Sequence, residues 1–548
     1  MEQRRLLPIG IQDFEKLRSA GCIYVDKTAL VYSLASTPIS YFLSRPRRFG
    51  KSLLVSTFDA YFRGRRDLFT GLAIEGLEKD WAAYPVLNIS FANDNFSTTE
   101  ALNASIENIF SRYEDLYGLT KREGQTFANR FEHIITAAAE QTGKPVVILI
   151  DEYDKPVLDA LFTEQEEKNR AVLRGFYSPL KGMDKYIRFL FITGITKISQ
   201  LNIFSGLNQL DDISMNADYA ALCGISDSEL HAYFMQEIES LAKEQGMSIE
   251  EAFRALAENY DGYHFARNGE GVYNPFCLLK ALREKNFGSY WFESGTPSLL
   301  VTSLQNTPVQ LAGVINGRKA LEAEFKDYDP ATRNLLPVIY QSGYLTIKGY
   351  DRQSRIYTLG FPNREVEDGF LNAVLPRFIS VPDDSLGLSI ENLRRAFLTG
   401  NLDAAMEHIQ AAFCDIPVIL QKKQCENYYE SIFHVLLRMT GFRVTSELQS
   451  IGGRSDIVFE TGDAVYIFEL KMDRGRQWQE AAAEALAQIE RKGYASRFAV
   501  AGKSLRLVGV VFSDEAKGLL GWQEAEQSSP YHLCFLEYTN SPSRMKIP

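Results

Sequence analysis

The feature that most constrains the fold is a short loop between an apolar segment and a helical pattern near the start of the chain. The apolar segment Ile39–Leu43 is typical of a buried strand, and the pattern over Lys51–Phe62 predicts a helix. The loop between them, residues 44–52, reads Ser-Arg-Pro-Arg-Arg-Phe-Gly-Lys-Ser and ends as phosphate-binding loops of the type G-x-x-x-x-G-K-[ST] end. Such a loop presents backbone N–H groups at a helix N-terminus, where the helix dipole favours anions. It therefore predicts an α/β domain that binds phosphate groups.

The loop chemistry assigns roles to its last residues. Lys51 is expected to reach the β- and γ-phosphates of ATP, and the Ser52 hydroxyl to bind Mg²⁺. Arg45 stands where the general pattern has its first glycine. Taken alone, Gly-Lys-Ser is weak evidence, since an ordinary helix start reads the same way.

A second predicted strand ends in two carboxylates. Asp151 and Glu152 directly follow the aliphatic segment Val146–Ile150. Ligands bind at the carboxyl ends of the strands in open α/β sheets. We therefore expect Asp151 to hold Mg²⁺ and Glu152 to polarise the attacking water. A buried strand that ends in a solvated acidic turn would look the same, but its combination with the loop favours nucleotide binding.

A third predicted strand, Phe189–Ile192, ends in a polar segment. Thr193 is a candidate sensor of the γ-phosphate, and Lys197 is a second candidate. Arg188 or Arg174 is a candidate arginine finger. A strand-terminal turn without a catalytic role explains these residues equally well.

A second constellation lies in the last quarter of the chain. Asp456 precedes one apolar strand, and the next strand, Val465–Phe468, leads into Glu469-Leu470-Lys471. Side chains alternate along a strand, so Glu469 and Lys471 face the same side. Asp456 and Glu469 are expected to bind Mg²⁺, and Lys471 to orient the nucleophile or to stabilise negative charge. This spacing is used to hold a divalent cation over a scissile phosphate.

The helices that flank these strands offer further candidates. Glu430, in the helix predicted for 425–440, is a candidate additional metal ligand, and Gln488 lies in the helix predicted for 478–492. A hairpin with an exposed Glu and Lys matches the strand pattern by chance, and a surface carboxylate or a packing amide would account for Glu430 and Gln488. For His434 we expect a packing role.

Composition limits the class of protein. The chain has 548 residues, 45% hydrophobic and 24% charged, which predicts several folded domains. Its six cysteines show no CxxC spacing, which argues against a zinc site and favours a reducing, cytoplasmic setting. We expect no membrane partner, because no signal peptide or spanning apolar segment is evident. With a net charge of −11, nucleic acid would have to meet a local basic surface.

The first part of the chain resembles the bacterial AAA-ATPase-like family, in which the loop itself resembles S-R-P-R-R-F-G-K-S. The resemblance implies ATP binding and hydrolysis, with Gly50, Lys51, Ser52 and Asp151 as site residues. It continues into the middle of the chain through segments for which we have no chemical role. The segments that carry it are Tyr24–Thr28, 44–52, Ile150–Asp154, Phe204–Asn208, Tyr260–Tyr263, Asn274–Phe276 and Gly343–Thr346.

The last part resembles the PD-(D/E)XK nuclease superfamily, through Asp456, Glu469 and Lys471 and through an α-β-β-β-α-β order of elements. The expected fold is α/β throughout. We expect a nucleotide-binding domain like the phosphate-loop NTPases at 1–225, a helical lid and wing-like region at 226–375, a helical connector at 376–424 and a nuclease-like domain at 425–548.

These observations predict a cytoplasmic ATPase coupled to a Mg²⁺-dependent nuclease that acts on DNA or RNA, in defence against foreign nucleic acid or in mobile-element processing. The alternatives are a nucleotide-switched protein whose nuclease fold binds nucleic acid without cutting it, and an ATPase signalling protein that does not touch nucleic acid. ATPases of this kind often complete their site with an arginine from a neighbouring copy, so we also expect a homo-oligomer.

Overall fold

A computed structural model gives the structure of most of the chain, in two compact units. The first comprises Met1–Leu299 and Arg318–Glu367, and the second Leu300–Gly317 and Asp368–Pro548. The motif Phe204–Asn208, the segment Gly453–Ser455 and the end of the expected connector lie outside the described residues. The structure describes residues 5–199, 201, 210–294, 317–329, 332, 334–374, 383–414, 426–446, 456–491, 503–513, 515, 518–529 and 532–535.

The first unit is built on a parallel sheet of five strands in the order β2-β3-β4-β1-β5. The expected strands Ile39–Leu43, Val146–Ile150 and Phe189–Ile192 are confirmed as β1, β3 and β4, and β3 is buried over its whole length. The fifth strand was not expected, because it has only three residues and two of them are aspartates. The strands are β1 Ser40–Ser44, β2 Val86–Ser90, β3 Val146–Asp151, β4 Ile187–Gly194 and β5 Leu210–Asp212.

Helices cover both faces of this sheet, as a parallel sheet requires. On one face the rings of Phe110, Phe131 and Phe176 stack within the main core. On the other, Phe58 packs on Phe189 and Phe191. The helices are α1 Phe14–Ser19, α2 Thr28–Ala35, α3 Lys51–Phe62, α4 Ala73–Leu77, α5 Thr99–Leu116, α6 Phe127–Thr142, α7 Lys155–Leu158 and α8 Gln165–Tyr177, with 3-10 turns at Arg66–Phe69, Ser178–Lys181, Asp184–Tyr186, Ile213–Met215 and Ala217–Tyr219.

The middle of the chain is helical with a small antiparallel sheet. Ser226 and Glu229 form a capping box that begins α9. The expected wing is confirmed and gains one strand, in the order β8-β10-β9. The elements are β6 Ile225–Ser226, α9 Asp227–Gln245, α10 Ile249–Tyr260, β7 Val272–Tyr273, α11 Pro275–Glu284, α12 Tyr290–Ser294, β8 Arg318–Ala320, α13 Glu322–Phe325, α14 Leu336–Gln341, β9 Thr346–Asp351, β10 Ile356–Gly360 and α15 Arg364–Val374.

The second unit contains a mixed sheet of six strands in the order β11-β12-β13-β14-β15-β16. Only β13 and β14 pair in parallel. The two helices of the expected connector belong to this unit, where Phe397 packs on Phe459 and Phe413 on Phe512. The elements are α16 Asp383–Leu398, α17 Leu402–Cys414, α18 Glu426–Met439, β11 Arg443–Ser446, β12 Asp456–Glu460, β13 Ala464–Met472, α19 Trp478–Arg491, β14 Ser504–Ser513, β15 Gly518–Ser529 and β16 His532–Phe535.

The α/β class and both sheet domains are thus as expected, while the four-part division of the chain stays a prediction. Within the described ranges, no helix combines the length and the apolar character needed to cross a membrane.

Candidate functional sites

The loop predicted to bind phosphate joins β1 to α3 at the carboxyl end of the parallel sheet. Gly50 caps α3 with a φ of 89°, in the left-handed region that suits glycine. Arg48 also has a positive φ, of 71°, which is uncommon for a side chain of this size. The loop therefore turns sharply just before α3 begins at Lys51.

Lys51 is enclosed by this loop and is only 7% exposed. Its Nζ donates hydrogen bonds of 3.0 Å to the carbonyl oxygens of Arg45 and Pro46. Burial lowers the pKa of Lys51, and the nearby Asp151 and Glu152 oppose this shift. A cationic donor is thus held at the centre of the loop.

The two N-terminal motifs meet at the end of β3. Asp151 is 4% exposed, the neighbouring Ser52 lowers the pKa of its carboxyl group, and its Oδ1 atom makes no hydrogen bond with any described residue. Glu152 follows with a φ of 53°, a strained conformation of the kind that clusters at functional sites. Burial raises the pKa of both carboxyl groups, while Lys51 lowers it. The structure therefore brings Lys51, Ser52, Asp151 and Glu152 together.

Asp154 is a buried carboxylate that sequence reasoning missed. Its Oδ2 atom accepts hydrogen bonds from the backbone N–H groups of Ile195 (3.0 Å) and Thr196 (2.6 Å), just after β4. A side chain at Gly194 would clash with this carboxylate. Burial raises the pKa of Asp154 to about 7. The available signals were its place in the segment Ile150–Asp154 and its position three residues after β3, where residues are usually solvated.

The other polar candidates of this unit are engaged elsewhere. Thr193 is fully buried, and its hydroxyl donates to the carbonyl oxygen of Leu43 at 2.8 Å inside the sheet. Lys197 pairs with Asp212 (2.9 Å) and Asp327 (3.2 Å). The roles of these residues as phosphate sensors stay predictions.

The two candidate arginine fingers also have partners within the unit. Arg174 pairs with Glu167 at 2.7 Å. Arg188 donates to the carbonyl oxygens of Ala35 (3.1 Å) and Thr37 (3.4 Å). These contacts leave the role of Arg174 or Arg188 as an arginine finger a prediction.

A cavity of about 100 Å³ lies beside the loop, within the first unit. Its walls are mostly apolar, which suits a planar aromatic ring better than a charged group. They include Ile23, Tyr24, Gly50, Leu54, Cys223 and Leu279.

In the second unit, the register of the sheet sets two of the predicted metal ligands side by side. Asp456 on β12 lies directly opposite Glu469 on β13 in the antiparallel ladder. The side chain of Asp456 lies outside the described part of the structure. Glu469 is 1% exposed, and its Oε1 atom lies 3.7 Å from Lys471 Nζ. The predicted pair of Glu469 and Lys471 on one face of β13 is therefore present.

Lys471 is held in place by the following helix. Its Nζ donates a hydrogen bond of 2.7 Å to Oε1 of Gln488, a buried residue on α19. The close approach of α19 depends on Gly509 of β14, the parallel neighbour of Glu469, where a Cβ atom would clash with the carbonyl oxygen of Ala482.

The helix that carries Glu430 packs on the opposite face of this sheet. The ring of Phe433 lies 5.2 Å from that of Phe468, and Phe468 points away from the face of Glu469 because side chains alternate along a strand. The ligand role of Glu430 stays a prediction. His434 is buried on the same helix, which lowers its pKa to about 3 and fits the expected packing role.

Across the ranges that the structure describes, no group of three or more His, Cys, Asp and Glu side chains is arranged to hold a metal ion. Backbone carbonyls, hydroxyl groups and water molecules also serve as ligands of Mg²⁺.

Two family models match the chain. Residues 8–204 match a family described as predicted AAA-ATPase, and residues 424–522 match the PD-(D/E)XK nuclease superfamily. A curated relative from Azotobacter chroococcum mcd 1, described as an uncharacterized protein in the vnfD 5′ region, is 35% identical over 533 residues. The match covers 95% of this chain and 98% of the relative.

Solved structures give weaker matches. A signal transduction ATPase with numerous domains (STAND) from Pyrococcus horikoshii matches with 12% identity and a TM-score of 0.25. The match covers 76% of this chain and 48% of the STAND protein. The match thus spans about half the length of that protein. The ORC2 protein of Aeropyrum pernix matches with 12% identity and a TM-score of 0.28, over 69% and 97% of the two chains. Structural similarity at these TM-scores supports no conclusion about this chain. The family models and the nearly full-length relative identify the family. The chain belongs to the predicted AAA-ATPase family, and its C-terminal domain belongs to the PD-(D/E)XK nuclease superfamily.

Proposed function

We propose that this protein is an ATP-dependent nuclease that cleaves DNA or RNA. The observation that carries the proposal is the presence of two sites on one chain, each with a buried lysine beside a buried carboxylate. Lys51 lies beside Asp151 at the nucleotide site, and Lys471 lies beside Glu469 at the nuclease site.

At the first site, the phosphate groups of ATP would take the place of the loop carbonyls as partners of Lys51. Anionic oxygens are stronger acceptors for an ammonium group than carbonyl oxygens are. The N-terminus of α3 adds backbone N–H groups and a favourable dipole. The neighbouring cavity would receive the adenine ring, because its lining is mostly apolar.

The residues around Lys51 fit a magnesium ion. Asp151 offers the buried Oδ1 atom that has no hydrogen-bond partner among the described residues, and Ser52 offers a hydroxyl group beside it. These are hard oxygen ligands of the kind Mg²⁺ prefers. When bound, the ion would neutralise charge on the β- and γ-phosphates.

Glu152 would act as the base for the attacking water. Its backbone has a φ of 53° just after β3, and burial raises the pKa of its carboxyl group. A raised pKa makes the carboxylate a better proton acceptor near neutral pH.

At the second site, Asp456 and Glu469 would hold Mg²⁺, since they are direct neighbours in the ladder and both are carboxylates. The bound metal would supply an activated water and neutralise charge on the phosphodiester. Lys471 would stabilise the negative charge that develops on the phosphate, and its bond to Gln488 would keep the ammonium in position.

Cleavage by the purified full-length protein tests this proposal. Labelled single- and double-stranded DNA and RNA would be incubated with Mg²⁺ or Mn²⁺, with and without ATP. We expect cleavage of at least one substrate that requires the metal and changes with ATP. Absence of cleavage in every condition, with ATP bound, would contradict the nuclease proposal.

A second candidate function is ATP-switched binding of nucleic acid without cleavage. Glu469 and Lys471 are almost completely buried, which limits the access of a large substrate to them. In addition, residues 425–548 carry 14 Lys and Arg against 16 Asp and Glu, so a nucleic acid would need a local basic patch. Retention of DNA on a filter that depends on ATP and weakens steeply with salt, without cleavage products, would favour this function.

A further inference from the structure

Three segments of the middle region form one hydrogen-bonded structure. The backbone N–H of His264 donates to Thr346 Oγ1 at 2.7 Å, and that hydroxyl donates to the carbonyl oxygen of His264 at 3.0 Å. The N–H of Asn274 donates to the carbonyl oxygen of Tyr260 at 3.0 Å. The side chain of Asn274 in turn accepts from the N–H of Phe276 and begins α11. Segments 260–265, 274–276 and 343–346 therefore hold one another in place.

Two aromatic rings of this structure pack on the phosphate loop. The ring of Phe49 lies 4.8 Å from that of Tyr263 and 5.3 Å from that of Phe265, both edge-on. The guanidinium carbon of Arg45 lies 4.2 Å from the centre of the Phe265 ring. Edge-on aromatic pairs and cation–π contacts are both attractive in this geometry.

Two further loop residues touch the same structure. The guanidinium carbon of Arg48 lies 4.5 Å from the centre of the Phe276 ring. Gly343 has a φ of 93°, and a Cβ atom there would lie 2.8 Å from Pro46 Cβ, so glycine is required both by its conformation and by the space. We call the four contacting residues, Tyr263, Phe265, Phe276 and Gly343, the loop cradle.

The loop cradle matters because the loop has few glycines, which would otherwise give its backbone conformational freedom. Gly50 is its single glycine, and Arg45 replaces the first glycine of the general pattern. Arg45 is 1% exposed, and its guanidinium donates to the carbonyl oxygens of Ser214 (2.8 Å) and Tyr219 (3.0 Å). The shape of the loop is thus imposed by contacts with the surrounding structure.

The same residues that rest on the loop cradle hold Lys51. Its ammonium donates to the carbonyl oxygens of Arg45 and Pro46. The side chain of Arg45 packs on Phe265, and the side chain of Pro46 lies beside Gly343. A phosphate group that withdraws Lys51 from these carbonyls would change the hydrogen bonding of two residues packed on the cradle. Nucleotide binding and the cradle are therefore linked through one short chain of contacts.

We propose that the loop cradle is a positioning element of the nucleotide site, which sets the loop for phosphate binding and rearranges when the nucleotide binds. This inference rests on the proposed binding of ATP. It gives the three segments of the middle region, which lie outside the phosphate loop, a role in nucleotide binding.

A matched pair of substitutions tests the positioning role. Tyr263→Leu removes the ring that contacts Phe49, whereas Tyr263→Phe keeps the ring and removes only the hydroxyl group. We expect Tyr263→Leu to raise the Kd for a fluorescent ATP analogue about three- to tenfold, the range expected for one aromatic contact, and Tyr263→Phe to change it by less than about twofold. Phe110→Leu, in the core away from the loop, controls for a general loss of packing. Equal affinities of the two Tyr263 variants would overturn the proposal.

Hydrogen exchange in the unmodified protein gives an independent readout. We expect a non-hydrolysable ATP analogue to slow exchange in residues 45–52 and to change it in segments 260–276 and 343–346, with no effect in Lys51→Ala. Protection of 45–52 with unchanged exchange in both middle segments would overturn the inference and leave ATP binding intact. If calorimetry detects no binding and exchange changes nowhere, the proposed nucleotide site is itself wrong.

Discussion

Gln488 accepts a hydrogen bond of 2.7 Å from the ammonium group of Lys471, and both side chains are buried. The contact fixes the end of a long, flexible side chain 3.7 Å from the carboxylate of Glu469. It joins β13 to α19, so the position of the lysine depends on how that helix sits on the sheet.

Replacing Gln488 should therefore disturb the nuclease site. In Gln488→Leu the buried ammonium loses this hydrogen-bond acceptor, which costs about 1–3 kcal/mol of stability. We expect the cleavage rate to fall about tenfold or more, because the lysine is no longer fixed. Gln488→Glu keeps an acceptor oxygen and should lose less. A cleavage assay on the three proteins checks this order, and equal rates in both variants would contradict it.

Gly509 should be required for the same site. A side chain there would clash with the backbone of α19 at Ala482, which would push the helix away from the sheet. We expect Gly509→Ala to destabilise the protein by about 1–3 kcal/mol and to reduce cleavage, whereas Gly462→Ala, in an open turn, serves as the control. Thermal unfolding and cleavage rates measure both effects; a Gly509→Ala protein as stable and active as the control would refute the packing argument.

Most of the fold is predictable from local pattern. The apolar run Val146–Ile150 predicts β3, and the apolar spacing after the loop predicts α3 with the bounds that the structure has. Ser226 and Glu229 predict the start of α9, because a capping box depends on residues only three positions apart. In contrast, β15 has no clear signal in the local sequence, because its second half, residues 523–529, is mostly polar, although β15 pairs with β14 on one edge and with β16 on the other.

The candidate sites are predictable only in part. The meeting of Lys51 with Asp151 follows from the parallel order of the sheet, since both motifs stand at carboxyl ends of strands. The burial of Asp154 and the bond from Lys471 to Gln488 do not follow, because they depend on which distant segments pack together. Arg45 looks like a departure from the general loop pattern, and its contacts with Ser214 and Tyr219 have no signal in the local sequence.

Asp154 should make stability depend on pH. Burial raises its pKa to about 7 from an ordinary value of 3.8, so the folded protein binds this proton more tightly than the unfolded protein does. Its contribution is most favourable below pH 3.8 and is lost as the pH rises through about 7. Between pH 5 and pH 8 the loss amounts to about 3 kcal/mol.

The variant Asp154→Asn isolates this effect, because the amide oxygen can still accept from Ile195 and Thr196. We expect the variant to gain stability relative to the unmodified protein as the pH is raised from 5 to 8. Urea unfolding at the two pH values measures the difference. A difference that does not change with pH would mean that the carboxyl group has an ordinary pKa.

Restoring the glycine of the general loop pattern should harm this protein. Arg45→Gly removes a buried guanidinium together with its hydrogen bonds to the carbonyl oxygens of Ser214 and Tyr219. We expect a loss of about 3 kcal/mol or more in the free energy of unfolding. Arg47→Gly, at an exposed position of the same loop, should cost about 1 kcal/mol or less. Comparable losses in the two variants would contradict the buried role of Arg45.

The most direct test of the proposed function compares cleavage of labelled DNA and RNA by the unmodified protein, Lys51→Ala and Lys471→Ala, with Mg²⁺ and with or without ATP. Lys144→Ala and Lys503→Ala serve as controls, because these lysines also donate to backbone carbonyls but lie outside the two sites. We predict that Lys471→Ala abolishes cleavage and still binds ATP, whereas Lys51→Ala loses ATP binding and the dependence of cleavage on ATP. Unchanged cleavage in Lys471→Ala, or an unchanged ATP response in Lys51→Ala, would contradict the coupling of two sites on one chain.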